Sequence, residues 1–334
     1  MYNFINVEMN KIPTVSICIT TYNRYKELEI TLNSILAQTY RDFELIISDD
    51  CSTDSTEQLC LEFQKKDSRI KYYKNSANLK MPGNLNSAIS KARGAFIANL
   101  HDGDIYRSDL IEKWHRALIN NPEAAFVFND YSEYSSTFGD KQYSLFPIEN
   151  GFGQLEIAKH YFNTLTSCVW GTVMARKETY EKYGPFNEKY GFISDVEMWL
   201  RICSKEKFAY INEYLIVLTP REKNHRYFLP DWQHKFWDFL ILKETISMYS
   251  SLMPKESRKA LKSYKLLLLK EFYKSMIILI KHNDFYRVKQ GLSIWRDSPY
   301  LLLRIWAYIF RSSNYPDWYK KDFYWAEICN PKLS

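Results

Sequence analysis

The sequence is poor in the residues that make proteins flexible or covalently cross-linked. It has ten glycines, eleven prolines and six cysteines among 334 residues, and the cysteines form no Cys-x-x-Cys pair. So few glycines and prolines exclude long flexible linkers, and thiols scattered through a chain of this length are typical of a reducing compartment. We therefore expect a globular protein without a disulfide framework or a cysteine-bound metal.

Long uncharged apolar runs are also lacking. Lysine or arginine interrupts the two most apolar segments, YKLLLLKEFYKSMIILI and YLLLRIWAYIF, and neither reaches the roughly 18 uncharged residues of a membrane-spanning helix. The first twenty residues show no basic stretch followed by an apolar core, so we expect no signal peptide. These absences predict a cytoplasmic protein, with peripheral contact at the inner face of the cell membrane as the one membrane association left open.

Positive charge is concentrated at the end of the chain. Residues 232–334 hold 18 Lys and Arg against 9 Asp and Glu, whereas the first 231 residues hold 27 against 30. This basic tail is rich in Trp and Tyr beside apolar residues, which suits a membrane surface. The same pattern fits helices packed on the rest of the chain or on a second copy of it, so a homo-oligomer stays open. Nucleic acid is not expected as a partner, because the excess lies outside the segment that carries the functional motifs.

Strand and helix patterns alternate through the first half of the chain. Apolar runs predict strands at 14–20, 43–50, 69–74, 94–100 and 124–131, and helical spacing of apolar residues predicts helices at 24–38, 54–66, 84–92 and 108–121. This alternation predicts an α/β fold with a doubly wound, mainly parallel sheet.

The second half of the chain changes its pattern. Strand signals near 168–175 and 207–218 flank a helix that begins at about residue 195, and from about 232 the pattern is helical without strand signals. We therefore expect one α/β domain over residues 11–231 and an α-helical C-terminal region over residues 232–334.

Polar clusters follow three of the predicted strands: TTYNR the first, SDDCSTD the second and HDGD the fourth. Ligands of such sheets bind outside the carboxyl ends of the strands, so we expect the clusters to share one edge. In the first cluster, Thr20, Tyr22 and Arg24 offer hydroxyls, a ring and a guanidinium, which together can bind a base and a phosphate.

The second cluster carries adjacent carboxylates, Asp49 and Asp50. They can accept hydrogen bonds from a ribose or a base, or they can cap the next helix, although Ser52 or Asp54 suffices for that. No Gly-x-Gly-x-x-Gly follows the first strand, so a dinucleotide-binding fold is not expected.

In the third cluster, Asp102 and Asp104 flank Gly103. Two carboxylates can hold a hard divalent cation, and the glycine lets the backbone approach a ligand closely. The alternative is an ordinary polar turn. His101 is either a metal ligand or a hydrogen-bond partner.

The order of these clusters resembles the family 2 glycosyltransferases of GT-A fold. The resemblance rests on VSICITTYNRYKELEITLNSILAQTYRDFELIISDDCSTDST, then HDGD, then SDVEMWLR, and it spans roughly residues 13–225. It implies a GT-A-type sheet and inverting transfer of a sugar from a nucleotide sugar, with UDP as the expected nucleotide. The implied acceptor is a hydroxyl of a glycan or lipid-linked glycan, in surface polysaccharide biosynthesis of the O-antigen or capsule type.

The resemblance also implies roles for individual residues. The nucleotide sugar would contact Thr20, Tyr22, Arg24, Asp49, Asp50 and Asp102, with Asp50 at the base. Mn²⁺ or Mg²⁺ would be held by Asp104, with Asp102 and His225 as further candidate ligands. His101 and Gly103 stand where the family usually has acidic residues. Because the motif departs from the family's pattern in this way, Asp102 is expected to contact either the ion or the ribose.

Asp195 is the expected catalytic base, since a carboxylate at a helix start can take the proton of the acceptor hydroxyl. Glu197 is the alternative base. Two other functions stay open at this point: transfer onto a polyprenyl phosphate, whose anionic oxygen needs a base less, and nucleotide-sugar binding without catalysis.

Overall fold

A computed structural model of the chain describes residues 12–133, 141–143, 151–164, 167–169, 171–219, 241 and 244–263. The strands are β1 (Val15–Thr21), β2 (Phe43–Asp49), β3 (Ile70–Lys74), β4 (Phe96–His101), β5 (Ile105–Tyr106), β6 (Ala124–Glu133), β7 (Lys141–Tyr143), β8 (Gly151–Gly153), β9 (Val173–Arg176) and β10 (Lys207–Leu218). The helices are α1 (Tyr25–Leu36), α2 (Thr56–Lys66), α3 (Lys80–Ser90), α4 (Leu110–Asn120), α5 (Glu156–Thr164), α6 (Lys177–Tyr183) and α7 (Ser194–Cys203), with a 3₁₀ segment at Glu188–Ile193.

These elements form a mixed sheet with the order β3-β2-β1-β4-β9-β6-β10-β5. Strands β3, β2, β1 and β4 run parallel, as do β6 and β10. Strand β9 lies antiparallel between β4 and β6, and β5, β7 and β8 also pair antiparallel. The predicted fold class, a GT-A-type α/β fold with a mainly parallel sheet, is confirmed.

The parallel part of the sheet forms because its central strands β1, β2 and β4 are largely apolar and buried, and its helices are apolar on one face. Strand β2 is buried along its whole length, which is typical of a strand covered by helices on both sides. Helix α1 contributes Leu28, Leu32 and Ile35 to the same core at helical spacing. The sheet therefore forms a rigid support for the residues at its edge.

Strand register determines which residues meet at that edge. Thr21 of β1 pairs with Asp49 of β2, and Thr20 of β1 pairs with His101 of β4. The carboxyl ends of the three strands therefore lie side by side, and the polar clusters that follow them share one edge of the sheet.

The chain divides into two compact units, one formed by residues 1–225 with 241–260 and the other by 226–240 with 261–334. Residues 244–249 and 254–263 are helical, in agreement with the predicted C-terminal helical extension. Of the second unit only residues 261–263 are described, so the predicted boundary between 231 and 232 stays a prediction. Within the described residues, no helix is both long and apolar enough to cross a membrane.

Candidate active site

The turn that follows β4, residues 101–104, needs glycine at its third position. Gly103 has φ +91°, in the left-handed region that favours glycine, and a β-carbon on it would lie 2.7 Å from Nη2 of Arg24. Thr219, just after β10, donates its hydroxyl to the Gly103 carbonyl at 2.7 Å. The turn is thus enclosed by residues from distant parts of the chain.

Two buried hydroxyl groups hold the backbone of this turn. The Tyr106 hydroxyl accepts the His101 N–H at 2.8 Å and donates to the His101 carbonyl at 2.9 Å. The Thr31 hydroxyl accepts the Gly103 N–H and donates to the Asp104 carbonyl, both at 2.8 Å. The turn is therefore positioned by hydrogen bonds that do not depend on a ligand.

The two carboxylates of the turn have different neighbours. Asp102 Oδ2 accepts a hydrogen bond from the Thr21 hydroxyl at 2.9 Å and lies 3.3 Å from Nε of Arg24. Both partners come from the end of β1 and the residue before α1. Asp102 thus lies against residues of the first polar cluster, where nucleotide contacts are expected.

Asp104 lies on the other side of the turn, beside His101. Its Oδ2 is 3.8 Å from Nδ1 of His101, and the same ring nitrogen is 3.5 Å from the Thr172 hydroxyl. The Asp104 side chain is only 2% exposed, whereas the His101 ring is 26% exposed. The structure therefore groups a carboxylate oxygen and an imidazole nitrogen, two kinds of metal-ligating atom.

Asp49 is fully buried and serves the local fold. It accepts hydrogen bonds from the Tyr72 hydroxyl at 2.7 Å and from the Ser52 N–H at 2.9 Å. Burial, together with the adjacent Asp49 carboxylate, raises the pKa of Tyr72 well above its ordinary value, so the phenol keeps the proton that it donates. The geometry places Asp49 at the predicted edge but with its carboxylate engaged by the protein.

Asp50 organises the segment that leads into α3. Its two carboxylate oxygens accept the N–H groups of Leu79 at 2.7 Å and Lys80 at 2.8 Å, and the Asn75 amide adds a third hydrogen bond at 3.2 Å. Lys80 has φ +61°, an uncommon conformation that these hydrogen bonds support. Contact of Asp50 with a nucleotide base stays a prediction.

Thr20 and Tyr22 lie at the same edge as Asp49 and Asp50. The Thr20 hydroxyl is 3.8 Å from the sulfur of Met81, so the α3 segment borders the end of β1. Tyr22 is partly exposed directly after β1. The structure thus brings the predicted nucleotide-binding residues to one edge.

Asp195 lies in the first turn of α7 and faces the residue 101–104 turn. Its Oδ1 accepts the Val196 N–H at 2.9 Å. A β-carbon on Gly171 would lie 3.7 Å from Asp195 Oδ2 and 2.7 Å from Nε2 of His101. The absence of a side chain on Gly171 therefore lets the His101 ring pack against its backbone, with the Asp195 carboxylate close by.

Glu197, the alternative base, is 5% exposed and is engaged by Arg201. Its Oε1 lies 2.7 Å from Nε of Arg201, and that guanidinium also donates to the carbonyls of Tyr183 and Pro185. This pair ties α7 to the end of α6. The geometry favours Asp195 over Glu197 as the group available to a substrate.

Two residues that follow the sheet in the chain, Glu244 and Tyr249, pack against α7 and the 3₁₀ segment before it. Glu244 contacts the Lys189 ammonium and the Tyr190 hydroxyl of the 3₁₀ segment, and the buried Tyr249 donates its hydroxyl to the Leu200 carbonyl at 2.7 Å. These contacts hold the segment that presents Asp195.

His225, the third predicted metal ligand, lies outside the described residues. In the part of the chain that the structure describes, no three His, Cys, Asp or Glu side chains gather closely enough to hold a metal ion by themselves. An ion held by Asp104 and one neighbouring side chain would therefore take its remaining ligands from residues outside that part, from water or from a substrate phosphate.

Sequence reasoning missed four residues of the site: Thr31, Tyr106, Gly171 and Thr172. Thr31 carried a signal, because it is a polar residue at a core position of α1 beside Leu32. Gly171 and Thr172 carried none, since they act through contacts with residues far away in the sequence. Tyr106 lies only five residues after His101, but an apolar pattern does not show where an aromatic hydroxyl points.

Comparisons with known proteins identify the family and the fold. The family model for glycosyl transferase family 2 matches residues 16–184. An uncharacterized glycosyltransferase of Methanocaldococcus jannaschii is 31% identical over 212 residues, which are 63% of this chain and 71% of that protein. The Escherichia coli UDP-Glc:alpha-D-GlcNAc-diphosphoundecaprenol beta-1,3-glucosyltransferase is 35% identical over 117 residues, 35% of this chain and 45% of that protein. The chain thus matches less than half of the E. coli enzyme's length.

Solved structures show the same fold. S. aureus TarS in complex with UDP-GlcNAc superposes with a TM-score of 0.63 at 17% identity, over 84% of this chain and 81% of that one. A mannosyltransferase from Pyrobaculum calidifontis in complex with GDP-Man and Mn²⁺ gives a TM-score of 0.51 at 15% identity, over 90% and 84%. At these identities the likeness shows the fold alone. The sequence motifs, the shared sheet edge and the family model together lead to one conclusion: the chain belongs to glycosyltransferase family 2.

Proposed function

We propose that this glycosyltransferase is an inverting, metal-dependent enzyme that transfers a sugar from a UDP-sugar to a hydroxyl of a glycan or lipid-linked glycan. The observation that carries the proposal is the grouping of Asp195 with the turn at residues 101–104. A candidate base and the turn with the candidate metal ligands then lie beside the same glycine, since a β-carbon on Gly171 would be 2.7 Å from Nε2 of His101 and 3.7 Å from Oδ2 of Asp195.

The donor binds at the edge formed by β1, β2 and β4 in this proposal. Arg24 offers a guanidinium to the diphosphate, and Asp102, held by Thr21 and Arg24, addresses the ribose rather than the ion. Thr20 and Tyr22 complete the nucleotide site, with Asp50 beside the base.

Asp104 is the proposed protein ligand for the divalent cation, Mn²⁺ or Mg²⁺. A buried carboxylate at the end of a strand fits such an ion, which usually needs only one or two protein carboxylates besides phosphate oxygens and water. When bound, the ion supplies positive charge that stabilises the leaving diphosphate.

Asp195 acts as the general base. Its carboxylate takes the proton of the acceptor hydroxyl while the hydroxyl oxygen forms a bond with the anomeric carbon. The bond between that carbon and the diphosphate oxygen breaks, and the nucleoside diphosphate leaves with the electron pair. Attack opposite the leaving group inverts the anomeric centre. A phosphate acceptor already presents an anionic oxygen at neutral pH and needs such a base less. The placement of Asp195 therefore favours a hydroxyl acceptor.

The proposed pathway is surface polysaccharide assembly of the O-antigen or capsule type. The printed name of the E. coli relative describes sugar transfer to a diphosphoundecaprenol-linked sugar, and this supports a lipid-linked acceptor. Such an acceptor would bring the enzyme to the cytoplasmic face of the cell membrane. Membrane contact through the basic tail and self-association stay predictions.

The test is a panel of nucleotide sugars, read by released nucleoside diphosphate with and without Mn²⁺, using sugar-diphosphate-lipid and polyprenyl phosphate acceptors. Asp195→Asn should abolish turnover and keep donor binding. Glu178→Gln is the matched control, because Glu178 is also an acid in the first turn of a helix but its side chain is 77% exposed. Near-normal turnover of Asp195→Asn would contradict the assignment of the base, and turnover with polyprenyl phosphate alone would contradict the proposed acceptor.

A further inference from the structure

The two carboxylates of the turn after β4 have different partners. Asp102 is bonded to Thr21 and Arg24, whereas Asp104 lies beside His101. Within the described residues, His101 is therefore the side chain that joins Asp104 as a candidate ligand. It stands at a position where, by resemblance, the family usually has an acid.

We propose that His101 binds the metal ion through Nδ1 beside Asp104, and that this nitrogen ligand makes the site prefer Mn²⁺ over Mg²⁺. The inference rests on the proposed metal-dependent function and specifies its ion.

The separation of the two ligand atoms allows one ion to bind both. Nδ1 of His101 and Oδ2 of Asp104 are 3.8 Å apart. Ligand bonds of about 2.0–2.2 Å let two atoms on one ion lie up to about 4.2 Å apart. The backbone that carries both side chains is held by the Tyr106 and Thr31 hydroxyls, so little ordering is needed when the ion binds.

The opposite side of the imidazole ring lies against Gly171. A β-carbon on Gly171 would be 2.7 Å from Nε2 of His101 and 3.7 Å from Oδ2 of Asp195, so that carboxylate is near the same ring nitrogen. A histidine that binds metal through one nitrogen usually donates the N–H of the other to a carboxylate, a carbonyl or water. In the proposed arrangement Nε2 carries the proton, and Nδ1, beside Asp104, offers its lone pair to the cation.

The preference for the ion follows from the chemistry of the ligands. Mg²⁺ is bound by oxygen and loses its water reluctantly. Mn²⁺ is also suited by oxygen ligands, but as a first-row transition metal ion it accepts an imidazole nitrogen more readily than Mg²⁺ does. Replacing an oxygen ligand by nitrogen therefore weakens the binding of Mg²⁺ more than that of Mn²⁺.

The first test measures whether a nitrogen atom is bonded to the ion. Electron spin-echo envelope modulation of Mn²⁺ with the full-length protein and UDP should show coupling to ¹⁴N, and ¹⁵N-histidine labelling should shift it. The coupling should disappear in His101→Gln and persist in His225→Gln, which controls for the other predicted histidine ligand.

Each other outcome overturns the proposal in a recognisable way. Bound Mn²⁺ without nitrogen coupling in the wild-type protein, or coupling lost in His225→Gln and kept in His101→Gln, excludes His101 as a ligand but leaves the proposed function standing. Absence of any UDP-dependent Mn²⁺ binding contradicts the metal-dependent function itself. Labelling of the wild-type protein shows whether any histidine binds the ion. Coupling that persists in the labelled His225→Gln protein then assigns the ligand to His101, so the question is decided even where His101→Gln does not fold.

A second measurement tests selectivity. Competition between the ions for the wild-type protein with UDP should require Mg²⁺ in about tenfold excess over Mn²⁺, which is the smaller end of the affinity changes, about 10–100-fold, that altered partners of metal ligands cause. His101→Asp should reduce that excess by a similar factor. Equal competition by Mg²⁺ in the wild-type protein would refute the preference.

Discussion

Replacing Tyr106 by phenylalanine tests whether the turn after β4 is held before any ligand binds. The Tyr106 side chain is 3% exposed, and its hydroxyl makes two hydrogen bonds to the backbone of His101. Each such bond contributes about 1 kcal/mol, so their loss should lower the free energy of unfolding by about 2 kcal/mol. For a domain of this size that corresponds to a fall in Tm of about 4–8 °C.

Thermal unfolding followed by circular dichroism gives this shift, and calorimetric titration with UDP and Mn²⁺ gives the effect on the site. Binding should weaken because the backbone that carries His101 and Asp104 is no longer held in place. Tyr73→Phe is the control, since it removes the same hydroxyl from a residue that is 39% exposed, and its Tm should not change measurably. A Tyr106→Phe protein with the wild-type Tm and wild-type affinity would refute the reasoning.

Three further predictions follow from the geometry. Gly171→Ala should lower kcat at least about tenfold, because its β-carbon would lie 2.7 Å from the His101 ring; unchanged steady-state kinetics would argue that this contact does not position the site. Glu44 is buried in β2 and accepts hydrogen bonds from the Ser16 hydroxyl and from the N–H and guanidinium of Arg93. Burial alone would raise the pKa of Glu44, but these hydrogen bonds outweigh burial and hold that pKa below its ordinary value. At pH 7 the free energy of unfolding of Glu44→Gln should therefore be about 2 kcal/mol lower than that of the wild-type protein. Urea titrations should show this difference shrinking as the pH falls below the pKa of Glu44 in the unfolded chain and then through its lower pKa in the folded protein. Asp102→Asn should weaken UDP binding with or without Mn²⁺, whereas Asp104→Asn should weaken only the Mn²⁺-dependent part; calorimetry that finds both variants alike would contradict the different directions of the two carboxylates.

The fold was predictable because its signals are local. Strands β1 and β2 are apolar runs that end in polar clusters, and α1 shows one apolar face at helical spacing. Parallel order then follows from the alternation of strands and helices. The antiparallel insertion of β9 between β4 and β6 was not predictable, because a strand's apolar pattern does not reveal its neighbours.

The candidate site was predictable in composition but not in arrangement. The sequence left open whether Asp102 serves the ion or the ribose, and whether Asp195 or Glu197 faces the substrate. Tertiary contacts bear on both: Asp102 lies against Thr21, and Glu197 is paired with Arg201. Such contacts depend on the packing of segments distant in the chain, which no local pattern encodes.

By itself, the sequence determined the family, the main strands and helices of the first half of the chain, and the residue types at the sheet edge, since each depends on residues near one another along the chain. Only the tertiary structure decided which of those side chains lie together. Packing brought Gly171, which lies between α5 and β9, against His101 and near Asp195, and placed the Thr31 and Tyr106 hydroxyls on the backbone of the turn. The physical reason is that hydrogen bonds and close contacts form between whatever atoms folding brings within reach, regardless of their separation in sequence.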